Sequence, residues 1–202
     1  MTSKIEFIFD FGSPNAYLAH KAIVPMAARL GAELDIIPCL LGGIFKETGN
    51  QAPMISLAKI KGKLDYDRLE FARFLKKHNI TGFKFNPHFP VNTVMLMRGA
   101  VAAKMDGDLD RYVEAGLKLM WEEGQKMDDP EIFVKALTDA GIDGAHIAAR
   151  IQESDVKAKL FENTAAAVAR GAFGMPTFFV DGEMYFGKER LAQIEEQISS
   201  GK

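Results

Sequence analysis

The sequence predicts an α/β fold in which a long helical stretch interrupts a small mixed sheet. Three observations carry this. Apolar residues alternate at period two near the N-terminus, recur at helical spacing from about residue 42 to 170, and alternate again around an Asp-Gly pair in the last thirty residues. Ile5, Phe7, Phe9 and Phe11 alternate with Glu6, Ile8 and Asp10, the pattern of a strand. Ser13 then suits a helix N-cap, and Pro14 suits the first turn, where its missing N–H has no partner to lose. Tyr17, Leu18, Ala22, Ile23, Met26, Ala27 and Leu30 follow at helical spacing, with Pro25 a kink site and Gly31 a stop. Glu33 to Leu41 reads as a second strand, completing a β-α-β unit.

In the helical stretch Asp65 opens one helix, Asn92 or Thr93 another, Asp129-Pro130-Glu131 a third and Ser154 a fourth. Thr177–Val180 and Glu183–Phe186 then flank Asp181-Gly182, the pair a type I′ hairpin turn prefers. Lys188 to Ile198 is an amphipathic closing helix. Joined across the insertion, the two outer pieces form a four-stranded mixed sheet with helices on it, the thioredoxin-like arrangement. The expected division is residues 1–41 with 171–202 as a discontinuous thioredoxin-like domain, and 42–170 as an all-helical insertion subdomain.

Composition removes several function classes. The 202-residue chain has 48% hydrophobic residues, enough for a sizeable core, and its net charge of −2 comes from 25 basic and 27 acidic residues with no basic block. Nucleic acid is therefore not an expected partner. The start MTSKIEFIFDFG is broken by Glu6 and Asp10, so it reads as neither a signal peptide nor a membrane span, and a cytoplasmic protein is the expectation. Cys39, the one cysteine, cannot pair internally and reads as packing; with four scattered histidines it gives no metal-ligand spacing.

In a thioredoxin-like fold the working position is the start of the helix after the first strand, where free N–H groups and the helix dipole favour an anion. Ser13 stands there. A proline before the third strand, held cis, is the second landmark, and Gly174-Met175-Pro176-Thr177 occupies that place. It would leave the backbone of Met175 able to pair with an extended peptide. The plain alternative for Ser13-Pro14 is an ordinary helix cap.

The segments FDFGSPNAYLA, FNPHFPVNT with LMRGA, GMPTFFV and EMYFGKERL, in this order across essentially the whole chain, resemble the 2-hydroxychromene-2-carboxylate isomerases. These are relatives of kappa-class glutathione transferases and of the disulfide oxidoreductase DsbA. Where a redox relative carries Cys-x-x-Cys this chain reads Ser13-Pro14-Asn15-Ala16, which excludes disulfide exchange at this site.

The resemblance implies glutathione as cofactor, Ser13 donating to its sulfur, and reversible thiolate addition that turns 2-hydroxychromene-2-carboxylate into trans-o-hydroxybenzylidenepyruvate, a step of aromatic catabolism. It implies a small aromatic carboxylate as substrate and a homodimer as the working form. A kappa-like transferase acting on electrophiles or peroxides shares the thiol site. A non-catalytic peptide-binding protein is the alternative from another class.

The resemblance also places Met175 and Pro176 against the glutathione backbone, Asn50 against the tripeptide, and Gly187-Lys188-Glu189 at its γ-glutamyl end. Relatives carry a small polar residue and Asp where this chain has Lys188 and Glu189; Glu189 keeps the charge for an ammonium group, and Lys188 suits a carboxylate. Pro14, Asn15, Asn92 and His88 are candidates for the second substrate. Asn92 equally reads as a helix cap, His88 as loop packing, and Arg98 as a surface or interface residue. Trp121 and Tyr66 read as core or dimer contacts, and Lys59, Lys61 and Lys63 as a solvated basic face.

Ionisation alone accelerates little. A thiol of pKa about 8.5 is roughly 3% ionised at pH 7, and lowering that pKa by about two raises the thiolate roughly twenty-five-fold. The accompanying loss of nucleophilicity costs roughly six- to ten-fold. Orientation in a dry cleft must then supply most of the rate, and the easier departure of a low-pKa thiolate serves the reverse half of the cycle.

Overall fold

The computed structural model describes residues 2–201; Met1 and Lys202, the outer ends of the expected two-piece domain, lie outside them. The chain runs β1 (Lys4–Phe9), α1 (Pro14–Leu30), β2 (Glu33–Pro38), α2 (Leu41–Thr48), α3 (Pro53–Ser56), α4 (Lys63–Lys77) and α5 (Val94–Asp106). There follow α6 (Leu109–Trp121), α7 (Pro130–Asp139), α8 (Gly144–Arg150), α9 (Ser154–Ala169), β3 (Thr177–Val180), β4 (Glu183–Phe186), a 3-10 turn (Lys188–Arg190) and α10 (Leu191–Ser200). One four-stranded sheet has the order β2-β1-β3-β4. β1 pairs parallel to β2 and antiparallel to β3, and β3 pairs antiparallel to β4. This is the thioredoxin-like α/β fold.

The period-two alternation of β1 divides the core. Phe7, Phe9 and Phe11 face a large core that also holds Phe178 of β3, Tyr112, Leu117 and Trp121 of α6, and Ile194 of α10. Ile8 points the other way, into a smaller cluster with Cys39, Ile44, Met175 and Phe179. Phe7 stacks on Phe178 at 4.8 Å between ring centroids and meets Phe9 edge-on at 5.5 Å. Each such fully buried ring contributes roughly 2–3 kcal/mol. Helices from the inserted stretch share this core with the sheet. At the crossing with α6, Gly116 has no side chain because a Cβ there would lie 2.6 Å from the Phe11 ring.

Several boundaries shift for identifiable reasons. The second strand stops at Pro38, three residues short of the expected Leu41. Cys39 N–H still reaches the Phe9 carbonyl at 3.0 Å, but the Leu40 and Leu41 N–H groups go to the Thr164 hydroxyl (2.9 Å) and the Asp10 carboxylate (2.7 Å), turning the chain into α2. The helix expected to open at Asp65 starts two residues earlier, after Gly62, with Asp65 in its first turn. Ser154 is the first residue of α9; Glu153 is the N-cap and makes no side-chain capping bond. Asp129 caps α7 as its sequence indicates, accepting from Glu131 N–H at 3.0 Å and Ile132 N–H at 3.2 Å. The closing helix begins as a 3-10 turn. At the hairpin, Asp181 (φ +50°) and Gly182 (φ +90°) both take positive φ, as a type I′ turn requires.

Trp121 is a core residue, whereas Tyr66 is 52% exposed on α4. Lys59 and Lys61 are exposed, and Lys63 pairs with Asp67 one turn along. Among the described residues no helix is long and apolar enough to cross a membrane.

Candidate functional site

The first turn of α1 and the segment before β3 meet at Ser13. Ser13 has extended backbone (φ −99°, ψ 113°) and its side-chain oxygen accepts from Ala16 N–H at 3.2 Å, so it is the N-cap of α1. The same hydroxyl donates to the carbonyl of Met175 at 3.3 Å, 162 residues away in sequence. That bond is longer than the roughly 2.5–3.0 Å usual for O–H···O, so it commits the hydroxyl only weakly. Ala16 and Tyr17 N–H groups also reach the Ser13 carbonyl, at 3.0 and 3.2 Å, whereas the Asn15 N–H has no protein acceptor among the described residues. A helix start with a spare N–H and a weakly committed hydroxyl is a place for an anion.

The opposite wall is the Met175 backbone. Met175 is 7% exposed, and among the described residues its N–H has no protein acceptor. The Met175–Pro176 bond is cis, as is Phe89–Pro90. Thr177 braces the segment by donating to the Gly174 carbonyl at 2.8 Å, and Pro176 accepts from Gly187 N–H at 2.9 Å. Gly187 takes φ +95°, a backbone conformation that residues bearing a Cβ rarely adopt.

Lys188, the next residue, is 6% exposed in its side chain, pairs with Glu189, and holds its ammonium 5.5 Å from the centre of the Phe74 ring. Asn50 donates to the Phe173 carbonyl at 2.7 Å, tying the loop after α2 to the strand entry. Beside it the Phe173 and Phe186 rings pack at 4.5 Å.

Ser13, Pro14, Asn15, Asn50, Met175, Pro176, Gly187, Lys188 and Glu189 are thus linked by contact or chain adjacency around one junction. Asn92 adjoins this junction through Thr93, whose side chain packs beside Gly12, and His88 makes no hydrogen bond to these residues among the described residues. Asn92 is exposed and its side-chain oxygen accepts from Val94 N–H at 3.0 Å, a turn at the entry to α5. His88 is exposed on the preceding loop, held through its backbone N–H by Asn86 at 2.8 Å.

The residue that sequence reasoning passed over is Asp10. It is fully buried, and its two oxygens accept from Gly12 N–H (2.8 Å) and Leu41 N–H (2.7 Å). Burial pushes its carboxyl up; those two N–H groups and the Thr93 hydroxyl pull the other way. Gly12 leaves room, since a Cβ would meet Asp10 Oδ1 and Thr93 Cγ2 at 3.3 Å each. An acid amid phenylalanines and directly before Phe-Gly was the signal available. Cys39 lies near, and burial, then the field of Asp10, pushes its thiol up to about 12, so it is inert at neutral pH.

Comparison with known proteins agrees with this architecture. The DSBA-like thioredoxin domain model matches residues 4–199. Rat (Rattus norvegicus) glutathione S-transferase kappa 1 is 29% identical over 198 residues, covering 93% of this chain and 87% of that protein. The Pseudomonas putida 2-hydroxychromene-2-carboxylate isomerase is 26% identical over 194 residues, covering 96% and 93%. A solved 2-hydroxychromene-2-carboxylate isomerase structure superposes with a TM-score of 0.83 at 25% identity, over 98% of this chain and 95% of that one. With nearly its whole length matched, the chain belongs to the DsbA-like thioredoxin domain family.

Proposed function

We propose that this protein is a glutathione-dependent isomerase that converts 2-hydroxychromene-2-carboxylate to trans-o-hydroxybenzylidenepyruvate. The observation that carries the reading is the Ser13 hydroxyl, lightly committed to the Met175 carbonyl beside the spare N–H groups of Asn15 and Met175. Those groups fit a cysteinyl peptide: two donors for a thiolate, and an extended backbone for the peptide to pair with. Glutathione, when bound, supplies a thiolate that adds reversibly to the conjugated ring system and departs after rotation. Ser13 turns its O–H from Met175 to the sulfur, and Met175 pairs with the peptide backbone beside Pro176. Glu189 takes the γ-glutamyl ammonium and Lys188 its carboxylate at the Gly187 turn, and Asn50 closes the near side. Pro14, Asn15, Asn92 and His88 face the aromatic carboxylate, with residues 42–170 acting as the helical subdomain over the site. The working form in this reading is a cytoplasmic homodimer.

The test follows 2-hydroxychromene-2-carboxylate spectroscopically with and without glutathione. A change that requires glutathione is expected, and Ser13→Ala should cut turnover on the order of a hundredfold, the usual loss of one donor to a reacting anion. Stability of that variant should fall by only about 1 kcal/mol, the worth of a helix cap. Glutathione binding without isomerisation would favour the second reading, a kappa-like transferase, which the 29% identity to the rat enzyme supports. Absence of glutathione binding would sink both enzymes and leave a peptide-binding protein.

A further inference from the structure

Three helix starts converge on the buried carboxylate of Asp10. One oxygen holds Gly12, the residue before the cap of α1; the other holds Leu41, the first residue of α2, whose own N-cap Leu40 makes no side-chain capping bond. Thr93, the N-cap of α5, makes no side-chain capping bond within its helix; its side chain packs beside Gly12, and its hydroxyl pulls the Asp10 carboxyl down. Two N–H bonds and a hydroxyl, where three helix dipoles point, favour the carboxylate, while full burial works against the charge and raises the carboxyl above its ordinary value. No cation pairs with it among the described residues; the titratable group beside it is the protonated Cys39 thiol at the end of β2. Asp10 also accepts, through its own carbonyl, the N–H of Ser13 at 3.2 Å, so this charge sits one tight turn from the cap.

Resting on the glutathione reading above, we propose that Asp10 is a positioning residue that limits how far a thiol held at Ser13 is ionised. When ionised, it places a negative charge at the positive start of α1 that a thiolate would use. Gly12 N–H is committed to Asp10, which leaves the thiolate Ser13 and the Asn15 N–H. The benefit is chemical. An over-stabilised thiolate is a poor nucleophile, and a reversible addition needs attack and departure at comparable ease.

The test measures the ultraviolet absorbance of bound glutathione thiolate against pH in the wild type and in Asp10→Asn. A charge a few ångströms away in a desolvated site moves an ionisation equilibrium about tenfold, so Asp10→Asn should raise the thiolate fraction about tenfold on the acid side of the titration. A merely structural role predicts the opposite, since a loosened helix start holds the anion less well.

A wild-type measurement covers the case in which the variant fails to fold. Coupling is reciprocal, and burial raises Asp10 toward the range of a thiol, so the carboxyl carbon resonance of Asp10 should titrate at higher pH with glutathione bound than with S-methylglutathione. An unchanged or smaller thiolate fraction in Asp10→Asn, or an Asp10 resonance blind to the thiol, overturns the inference alone. A wild type that binds no glutathione overturns it together with the function proposed above.

Discussion

Asp10 and His20, both buried at or in the first helix, are pushed toward neutrality by burial but differ in what surrounds their polar atoms. Asp10, just before α1, has hydrogen-bond donors on both oxygens. His20, two turns into α1 and 3% exposed, has a ring nitrogen, Nδ1, with no hydrogen-bond partner. Its nearest acid, Glu114 on α6, stands 3.7 Å away and is itself half exposed. Burial first, with Lys21 adding to it, pushes His20 down to about 4 despite the pull of Glu114 and Asp110. The carboxyl is surrounded by donors; the imidazole gives up its charge. Only the first arrangement brings separate elements together, because a buried carboxyl must gather donors from whichever chain ends can supply them.

The largest way to break this contrast is Asp10→Ala, which leaves the Gly12 and Leu41 N–H groups without partners and a cavity behind them. A loss of about 3–5 kcal/mol is expected in urea unfolding. A loss under about 1 kcal/mol would mean that water replaces the carboxylate without difficulty.

Next comes the pH dependence of stability from His20. Its folded pKa, about 4, lies below the ordinary 6.5, so between those values the unfolded chain binds more protons. Stability therefore rises with pH through that window, is unaffected by this group above it, and is lowest below it. The span is about 2–3 kcal/mol, and His20→Leu should flatten it when unfolding is followed from pH 4 to 7.

Smaller effects sharpen the pair. Thr93→Val removes one hydroxyl from the Asp10 carboxyl at nearly constant shape and should cost about 0.5–1.5 kcal/mol, while Thr93→Ser should cost less; thermal melts of the two decide. Smallest is Glu114→Gln. It removes the acid that raises His20, so the histidine should titrate slightly lower by NMR, with a stability change of no more than a few tenths of a kcal/mol.

The sequence was most readable where chemistry is local. The Ser13-Pro14 start, the Asp129 cap and the Asp181-Gly182 turn each depend on the backbone within three or four residues, and all stand in the structure. The two residues facing each other across the site, Ser13 and Met175, were each visible as local landmarks, though not the bond between them. Asp10 was legible only as a polar place in an alternating strand. Two of the three groups acting on it, Leu41 and Thr93, come from α2 and the start of α5, so only its place before Phe11-Gly12 sets it apart from Glu6, which lies at the surface and pairs with Arg170. The same limit hid His20, which sits on the apolar spacing of α1 and whose orphaned nitrogen depends on what α6 places opposite. The early end of β2 was hidden as well, because the groups that capture its last N–H groups, Asp10 and Thr164, are far away in sequence.

Trp121, the chain's one tryptophan, is wholly buried, and its indole N–H donates to the Phe11 carbonyl at 2.8 Å. Phe11 stands two residues before Ser13, so the one tryptophan is wired to the turn that starts α1. Its emission needs no label and no deconvolution: a red shift reports water reaching the underside of that turn, and a quench or blue shift on adding a thiol peptide reports the turn tightening from above.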